Sequence, residues 1–411
     1  MATKRPDGLV VYLGEMPVAK LSDDRRSGVV CRYLPETLDA CAVNVPLLSC
    51  SLPVRKGRFN ATAFFDGVLP EGQHRATLAA RAGVAAQDTF GLLARYGRDV
   101  AGALVVVDPS RPEADRVSGV IELDADALAA EIAAIPDQPL GIHDDSELSL
   151  AGLQDKMLLV DMGNGRWGRP VGGAPSTHIL KLDHRTYSGV VAAEADALAL
   201  ARAAGLTSIT SEIHRFGELD ALIVSRFDRV VATDGTVRRI HQEDACQATG
   251  RPPTSKYEIR QGGRGPAFDD VARLLDAYAS DALAELDRLA AVATFTALIG
   301  NADAHGKNIA FLHRSPGVIS LAPLYDTVPT VMWPGLAVDA AMSIGGTVTL
   351  DAVDTAAIVR SAKRWHHSAE RAAASAAAVA VSALRAIDNG VIDPEGKLAS
   401  LVRKRAPRFL A

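Results

Sequence analysis

Short apolar runs open the chain, and helical periodicity dominates its end. In "GLVVYLGEMPVAKL" (8–21) and "GVVCRYL" (28–34) polar turns interrupt apolar stretches, the pattern of antiparallel strands. "PLLSCSLPV" (46–54) reads as a bent apolar connection with Pro46 and Pro53 near its ends. The period then lengthens. "TAFFDGVLPEGQHRATLAARAGV" (62–84) predicts a helix ending near Gly83, and "DTFGLLARYG" (88–97) a second with Asp88 as N-cap. "VAGALVVV" (100–107) reads as a buried strand and "DPSRPEADRVSG" (108–119) as a linker.

The middle of the chain is mixed. A helix, "DADALAAEIAAI" (124–135), precedes "SELSLAGLQDKMLLV" (146–160). A glycine-rich turn, "MGNGRWGRP" (162–170), leads to the strand "THILKLD" (177–183) and the helix "VVAAEADALALARAAG" (190–205). Strands follow at "SEIHRF" (211–216) and "ALIVSRFDRV" (221–230), and the turn "ATDGT" (232–236) joins the latter to "VRRIHQEDA" (237–245). From about residue 246 helices dominate, with one expected exception, the hairpin "NIAFLHRSPGVISLAPLYD" (308–326). "AERAAASAAAVAVSALRAI" (369–387) is a strong helix by propensity. The pattern divides the chain into a β-rich region 1–106, a mixed region 107–245 and a mainly helical region 246–411.

Composition narrows the class. The chain has 411 residues, 48% hydrophobic and 23% charged, as for a globular protein of two or three domains. A net charge of −5 argues against nucleic-acid binding through bulk charge. Cys31, Cys41, Cys50 and Cys246 lack CxxC spacing and read as free thiols of a reducing, cytoplasmic setting. No signal peptide and no run long enough for a membrane span is expected.

The densest polar chemistry lies in "LIGNADAHGKNIAFLH" (298–313). Asp303 and Asn308 fit D-x-x-x-x-N, a spacing that suits phosphoryl transfer. The Asp accepts the proton of an attacking hydroxyl, and the Asn supplies an oxygen to Mg²⁺ on nucleotide phosphates. Gly306 would let the loop turn without Cβ strain, and Lys307 could neutralise the transferred group. Asp326 ends the hairpin and can return beside Asn308 as a second metal ligand.

Two lysines add to this. Lys181 sits in the strand "HILKL" facing the same side as Ile179, and a charge in such a strand calls for an anion, with Glu194 as a further candidate partner. Lys156 ends "SLAGLQDK", where backbone amides at Ala151 and Gly152 could cradle phosphates. Each has a plainer reading. A strand lysine can be solvated, His305 can be a structural hydrogen-bonding residue as readily as an acid–base group, and Glu243 and Asp244 can simply cap a helix.

Taken together, the segments "FFDGVLPEG", "LLARYGRDVAGAL", "SLAGLQDK", "THILKLD", "SRFDR", "HQEDACQATG", "KYE", "NADAHGKN" and "LAPLYD" resemble the HipA family, in order and over nearly the whole chain. These are serine/threonine protein kinases acting as toxins of type II toxin–antitoxin modules. The resemblance implies an α+β fold like a two-lobed protein kinase, with a β-rich N-terminal subdomain and a mainly helical C-terminal lobe. It implies Asp303 as catalytic base, and Asn308 and Asp326 as Mg²⁺ ligands. The ATP-binding set it implies is Ala151, Gly152, Leu153, Gln154, Asp155 and Lys156, then Lys181, then Ser225, Arg226 and Phe227 along the adenine, then His305, Lys307, Asn308, Tyr325 and Asp326. Ser149 falls where the family autophosphorylates and inactivates itself. Three positions depart from the family pattern: Ser225 replaces an acidic residue, Asp155 replaces Glu, and Leu153 is bulkier than usual.

The implied cofactors are ATP and Mg²⁺. The implied partners are a HipB-like helix-turn-helix antitoxin, operator DNA reached through it, and a protein substrate in translation such as glutamate–tRNA ligase. Two other readings stay open from the residues: a small-molecule phosphotransferase, and an inactive co-repressor that binds antitoxin and DNA.

Overall fold

The computed structural model describes residues 5–24, 28–110, 118–135, 156–183, 186–217, 219–260, 262 and 264–410. Contacts divide the chain into two compact units, one of residues 1–183 with 214–243, the other of 184–213 with 244–411. The helix at 190–203 therefore groups with the C-terminal helices and not with the strands that flank it in sequence.

The first unit opens on a five-stranded antiparallel sheet. It contains β1 (Leu9–Leu13), β2 (Met16–Asp24), β3 (Gly28–Tyr33), β4 (Phe59–Asn60) and β5 (Leu104–Val107), in the order β4-β3-β2-β1-β5. Val11 lies opposite Ala19 on one side and Val106 on the other, which sets the alternation that buries Leu9, Val11 and Leu21. Helices α2 (Thr62–Gly67), α3 (Gly72–Ala82) and α4 (Thr89–Tyr96) share this core through Phe64, Phe65, Leu78, Phe90 and Leu93, and the partly buried Leu38 of α1 (Pro35–Ala40) packs against it. Each fully buried side chain of this size stabilises by about 1.5–3 kcal/mol. The expected single helix over 62–83 is two helices. Pro70 has no N–H to continue the first and its ring excludes the preceding turn. Gly83 ends α3 in the left-handed conformation at φ 67°, and Asp88 caps α4 by accepting from the Gly91 amide at 2.9 Å.

A second sheet runs β10-β11-β9-β7-β8-β6. Its strands are β6 (Gly119–Leu123), β7 (Lys156–Asp161), β8 (Trp167–Val171), β9 (His178–Leu182), β10 (Ser211–Phe216) and β11 (Leu219–Ser225). Helix α5 (Ala125–Ala134), capped by Asp124, belongs to the same core: Leu128 and Ile132 cluster with Leu159, Leu180, Leu182 and Ile223. The unit closes with the hairpin β12 (Arg229–Val231) and β13 (Val237–Arg239), whose turn is set by Asp234 accepting from the Thr236 amide.

"ALIVSRFDRV" is not one strand, because its charged residues turn inward. Asp99 and Asp228 are buried with Arg226, Arg229 and Arg239. Asp228 meets Arg226 at 2.8 Å and Arg229 at 2.9 Å, and Asp99 meets Arg229 at 2.9 Å and Arg239 at 3.3 Å. Arg226 also donates to Ser176 Oγ, and the Gly102 amide to Asp228 Oδ2. Burial pushes both carboxyls up, but the guanidiniums outweigh it and hold both below the ordinary carboxylate value.

The boundary between the units falls inside β14 (Gln242–Asp244). The second unit contains α6 (Val190–Ala203), α7 (Ala245–Ala248), α8 (Phe268–Tyr278) and α9 (Ala282–Ile299). The hairpin β15 (Ala310–Ser315) and β16 (Val318–Leu321) follows, with α10 (Thr355–Arg364), α11 (Ala369–Asp388) and α12 (Lys397–Arg405) completing the bundle. From Leu289 to Ile299 helix α9 is buried on all sides, and it packs against α8, α10, α11 and α12. Ala372, Ala376, Ala380 and Ala383 are fully buried along α11, which lets it approach closely. A second hairpin, β17 (Asp339–Ile344) and β18 (Thr347–Thr349), interrupts the helices where none was expected. It turns at Gly345-Gly346, both at positive φ, a strong hairpin signal in the sequence. Among the described residues no helix is long and apolar enough to cross a membrane.

Candidate active site

Helix α9 delivers the chain into the polar loop. It ends on Gly300, left-handed at φ 74°, and the Arg405 guanidinium donates to the Ala297 carbonyl at its C-terminal end. The loop then fixes itself. Asn301 Oδ1 accepts from the Asp303 amide at 3.0 Å, and the Ala302 amide donates to Thr330 Oγ1 at 2.8 Å. Residues 306–308 form a 3₁₀ turn, with the Asn308 amide donating to the His305 carbonyl at 2.8 Å. Asn308 Nδ2 donates to the Asp303 carbonyl at 3.1 Å, which orients the side chain and leaves Oδ1 as its acceptor.

Asp326 follows the hairpin and adopts a left-handed backbone at φ 51°, a conformation disfavoured for a residue with Cβ. Tyr325, beside it, ties the hairpin's return to the loop by donating its hydroxyl to the Lys307 carbonyl at 2.6 Å. Asp303, Asn308, Tyr325 and Asp326 thus come together within the second unit. Burial is the main cause that raises the Asp303 carboxyl above its ordinary value. The charge of Asp326 adds to this, while the Tyr257 hydroxyl, Lys256 and Arg260 oppose it.

The structure assigns Gly306 a different use from the one its sequence suggests. It does not need a positive φ. A Cβ there would lie 2.6 Å from Pro266 Cγ and 3.0 Å from Cys246 Sγ, so the glycine is required by close packing. Lys307 is buried, and its Nζ donates to Asp244 Oδ2 at 2.8 Å in a buried ion pair. Asp244 in turn forms the capping box of α7 with Gln247. His305 is buried, and its pKa is pushed down to about 3, first by burial and then by the Lys256 ammonium. It is a neutral imidazole with its ring edge-on to Tyr257 at 5.1 Å.

The first unit carries the lysines. Lys156 and Lys181 stand directly opposite each other on neighbouring antiparallel strands, each only 8% exposed. Ser225 ends β11 opposite His178. Arg226, expected beside a nucleotide, has its guanidinium in the buried network with Asp228, Asp99 and Ser176, and Phe227 is half-buried at the bend that follows. Glu243 is not a helix cap: it accepts from Ser49 Oγ and the Cys50 amide and so anchors the connection at 46–54. Ser149, Ala151, Gly152, Leu153, Gln154 and Asp155 lie outside the described residues.

Sequence reasoning passed over the segment that grips the loop from outside. The Tyr257 hydroxyl donates to Asp303 Oδ1 at 2.9 Å, Lys256 O accepts from the Gly306 amide at 3.0 Å, and Arg260 donates to Ala302 O at 2.9 Å. "KYE" was visible as a motif, but nothing in its spacing points at Asp303.

The donor set suits one metal class. Asn308 Oδ1 and the Asp326 carboxylate are hard oxygen donors on one loop–hairpin unit, as Mg²⁺ prefers. Among the described residues no group of three or more His, Cys, Asp or Glu gathers in a metal-binding arrangement.

Comparison with known proteins completes the description. The fold is α+β. Residues 9–107 match the HipA N-terminal domain and residues 148–388 the HipA-like C-terminal domain. The chain is 31% identical over 358 residues to the serine/threonine-protein kinase toxin HipA of Shewanella oneidensis, covering 84% of this chain and 80% of that protein. It is 38% identical over 346 residues to Y4mE of Sinorhizobium fredii, covering 82% and 80%. A solved structure of the Shewanella oneidensis HipA, HipB and operator DNA complex superposes with a TM-score of 0.81 at 26% identity, over 98% of this chain and 96% of that one. The chain belongs to the HipA family.

Proposed function

We propose that the chain is an ATP-dependent serine/threonine protein kinase, the toxin of a type II toxin–antitoxin module. The observation that carries this reading is the joint placement of Asp303, Asn308 and Asp326 by one loop and its hairpin. In the proposed reaction the hydroxyl oxygen of a serine or threonine bonds to the γ-phosphorus of ATP as the bond to the β-bridging oxygen breaks. ADP leaves, and the hydroxyl proton passes to Asp303. Asn308 and Asp326 would hold a Mg²⁺ ion, which neutralises charge on the phosphates. Lys156 and Lys181, directly opposite each other on neighbouring strands, are the lysines this reading assigns to the ATP phosphates. Lys307, held by Asp244, is the weakest member of the implied ATP set.

The partners follow from the family. A HipB-like antitoxin, and operator DNA reached through it, fit a chain whose net charge is −5. We place the reaction in the cytoplasm, with a translation component such as an aminoacyl-tRNA synthetase as protein substrate and Ser149 as the self-inactivating site. The test is label transfer from ATP by the purified chain. Asp303→Asn should lower it roughly 10²- to 10⁴-fold, the worth of a general base, with folding intact. Full transfer by that variant would remove Asp303 from the mechanism. Mass spectrometry after incubation with ATP should find phosphate on Ser149, and phosphate confined to other residues would reject that site.

A further inference from the structure

The catalytic loop is gripped by a segment to which the family reading gives no role. Between residues 256 and 266 the chain touches the loop repeatedly. Lys256 O accepts from the Gly306 amide, Arg260 donates to Ala302 O, and Pro266 packs where a Gly306 side chain would stand. Tyr257 lies at the centre. Its hydroxyl donates to Asp303 Oδ1 at 2.9 Å and its ring meets His305 edge-on at 5.1 Å. Lys256 Nζ and Arg260 Cζ lie 5.9 and 5.6 Å from the ring centroid, within cation–π range. The tyrosine is itself held from behind. The Gly265 amide donates to its carbonyl at 3.0 Å, and a Cβ at Gly265 would come within 2.3 Å of the Tyr257 carbonyl carbon.

An aspartate carboxyl turns about a soft torsion, so without a fixed donor either oxygen can face the substrate. Here one oxygen has a donor on a clamped ring, and no described residue donates to the other. We infer that Tyr257 is a positioning residue for phosphoryl transfer: it engages Oδ1 of Asp303 and so presents Oδ2 to the incoming hydroxyl. The inference rests on the kinase reading and adds a residue to it. In the step itself the hydroxyl proton goes to Oδ2 as its oxygen bonds to the γ-phosphorus and ADP departs. Tyr257 keeps its own proton throughout.

The experiment uses the full chain with labelled ATP and Mg²⁺, comparing wild type, Tyr257→Phe and Asp303→Asn. Phenylalanine keeps the ring on His305 and removes only the hydroxyl. The expected result is a fall in the maximal transfer rate of roughly ten- to a hundredfold, the worth of one hydrogen bond to a charged group, with ATP affinity within about twofold of wild type. Affinity measured on the same preparation shows that the variant is folded. An unchanged rate overturns the inference, and so does a parallel loss of rate and ATP affinity, which marks Tyr257 as merely structural. Tyr257→Leu, which also removes the ring, should lose at least as much rate, and a leucine variant faster than the phenylalanine one overturns it too. A wild type that transfers no label, or a fully active Asp303→Asn, defeats the kinase reading first and the inference with it. That pattern is distinct from an active wild type with a dead Asp303→Asn and an unaffected Tyr257→Phe.

Discussion

The ammonium of Lys307 lies 2.8 Å from Asp244 Oδ2, while the other oxygen of the same carboxylate accepts from the Gln247 amide at 2.9 Å. One aspartate therefore joins the polar loop at 301–308 to the start of α7. Lys307→Met would leave the buried Asp244 without its cation, at a cost of about 3–5 kcal/mol. The expected outcome is a lower denaturant midpoint with ATP affinity nearly retained. A variant that stays as stable as wild type but loses ATP affinity would return Lys307 to the phosphates.

Asp326 combines a proposed metal-ligand role with a backbone that suits glycine better. Asp326→Gly should relieve about 1 kcal/mol of backbone strain while removing the carboxylate. Thermal unfolding at the same or a higher temperature, with label transfer abolished, is the expected pair of results. Retained transfer would mean that the carboxylate is not needed.

The buried charges of the first unit predict an acid-sensitive fold. Asp99 and Asp228 titrate below their unfolded value of about 3.9, so below roughly pH 5 the unfolded chain binds more protons than the folded one. Their stabilisation is complete above that range and lost as pH falls towards the folded values. Asp228→Asn should cost about 3–5 kcal/mol at pH 7 and flatten this dependence. Urea midpoints measured from pH 7 to pH 3 check both points, and equal acid slopes in the two proteins would contradict the assignment.

Gly306 offers a steric test. Gly306→Ala places a Cβ 2.6 Å from a rigid proline ring, so the loop must give way. Overpacking of this kind costs about 1–3 kcal/mol, and a displacement near 1 Å can cost on the order of a hundredfold in rate. The variant should bind ATP and transfer phosphate poorly. Wild-type rates would show that the loop tolerates the shift.

Local signals carried much of this architecture. Asp88, Asp124 and Gly83 mark helix ends in the sequence because capping is decided within four residues. Pro70 and Gly345-Gly346 were equally local signals, outweighed by the apolar period around them. The site was legible where its residues lie close together in the chain, as Asp303 and Asn308 do. It was illegible where the deciding contact is long-range. Nothing near "SRFDR" announces Asp99, more than a hundred residues earlier, so the buried partner of the Arg226 guanidinium cannot be read from the sequence. Tyr257 is forty-six residues from Asp303, and only the folded chain brings its hydroxyl to the carboxylate.

The buried charges have a consequence for how the chain comes apart. Asp99 lies in the segment matched by the N-terminal family model, and Arg226, Arg229 and Arg239 in the segment matched by the C-terminal one. A fragment lacking the first hundred residues would strand three guanidiniums in an interior with a single carboxylate between them. A buried ion network within the first unit therefore crosses the boundary between the two matched stretches, and a cut between them would leave the arginines of the second short of a carboxylate.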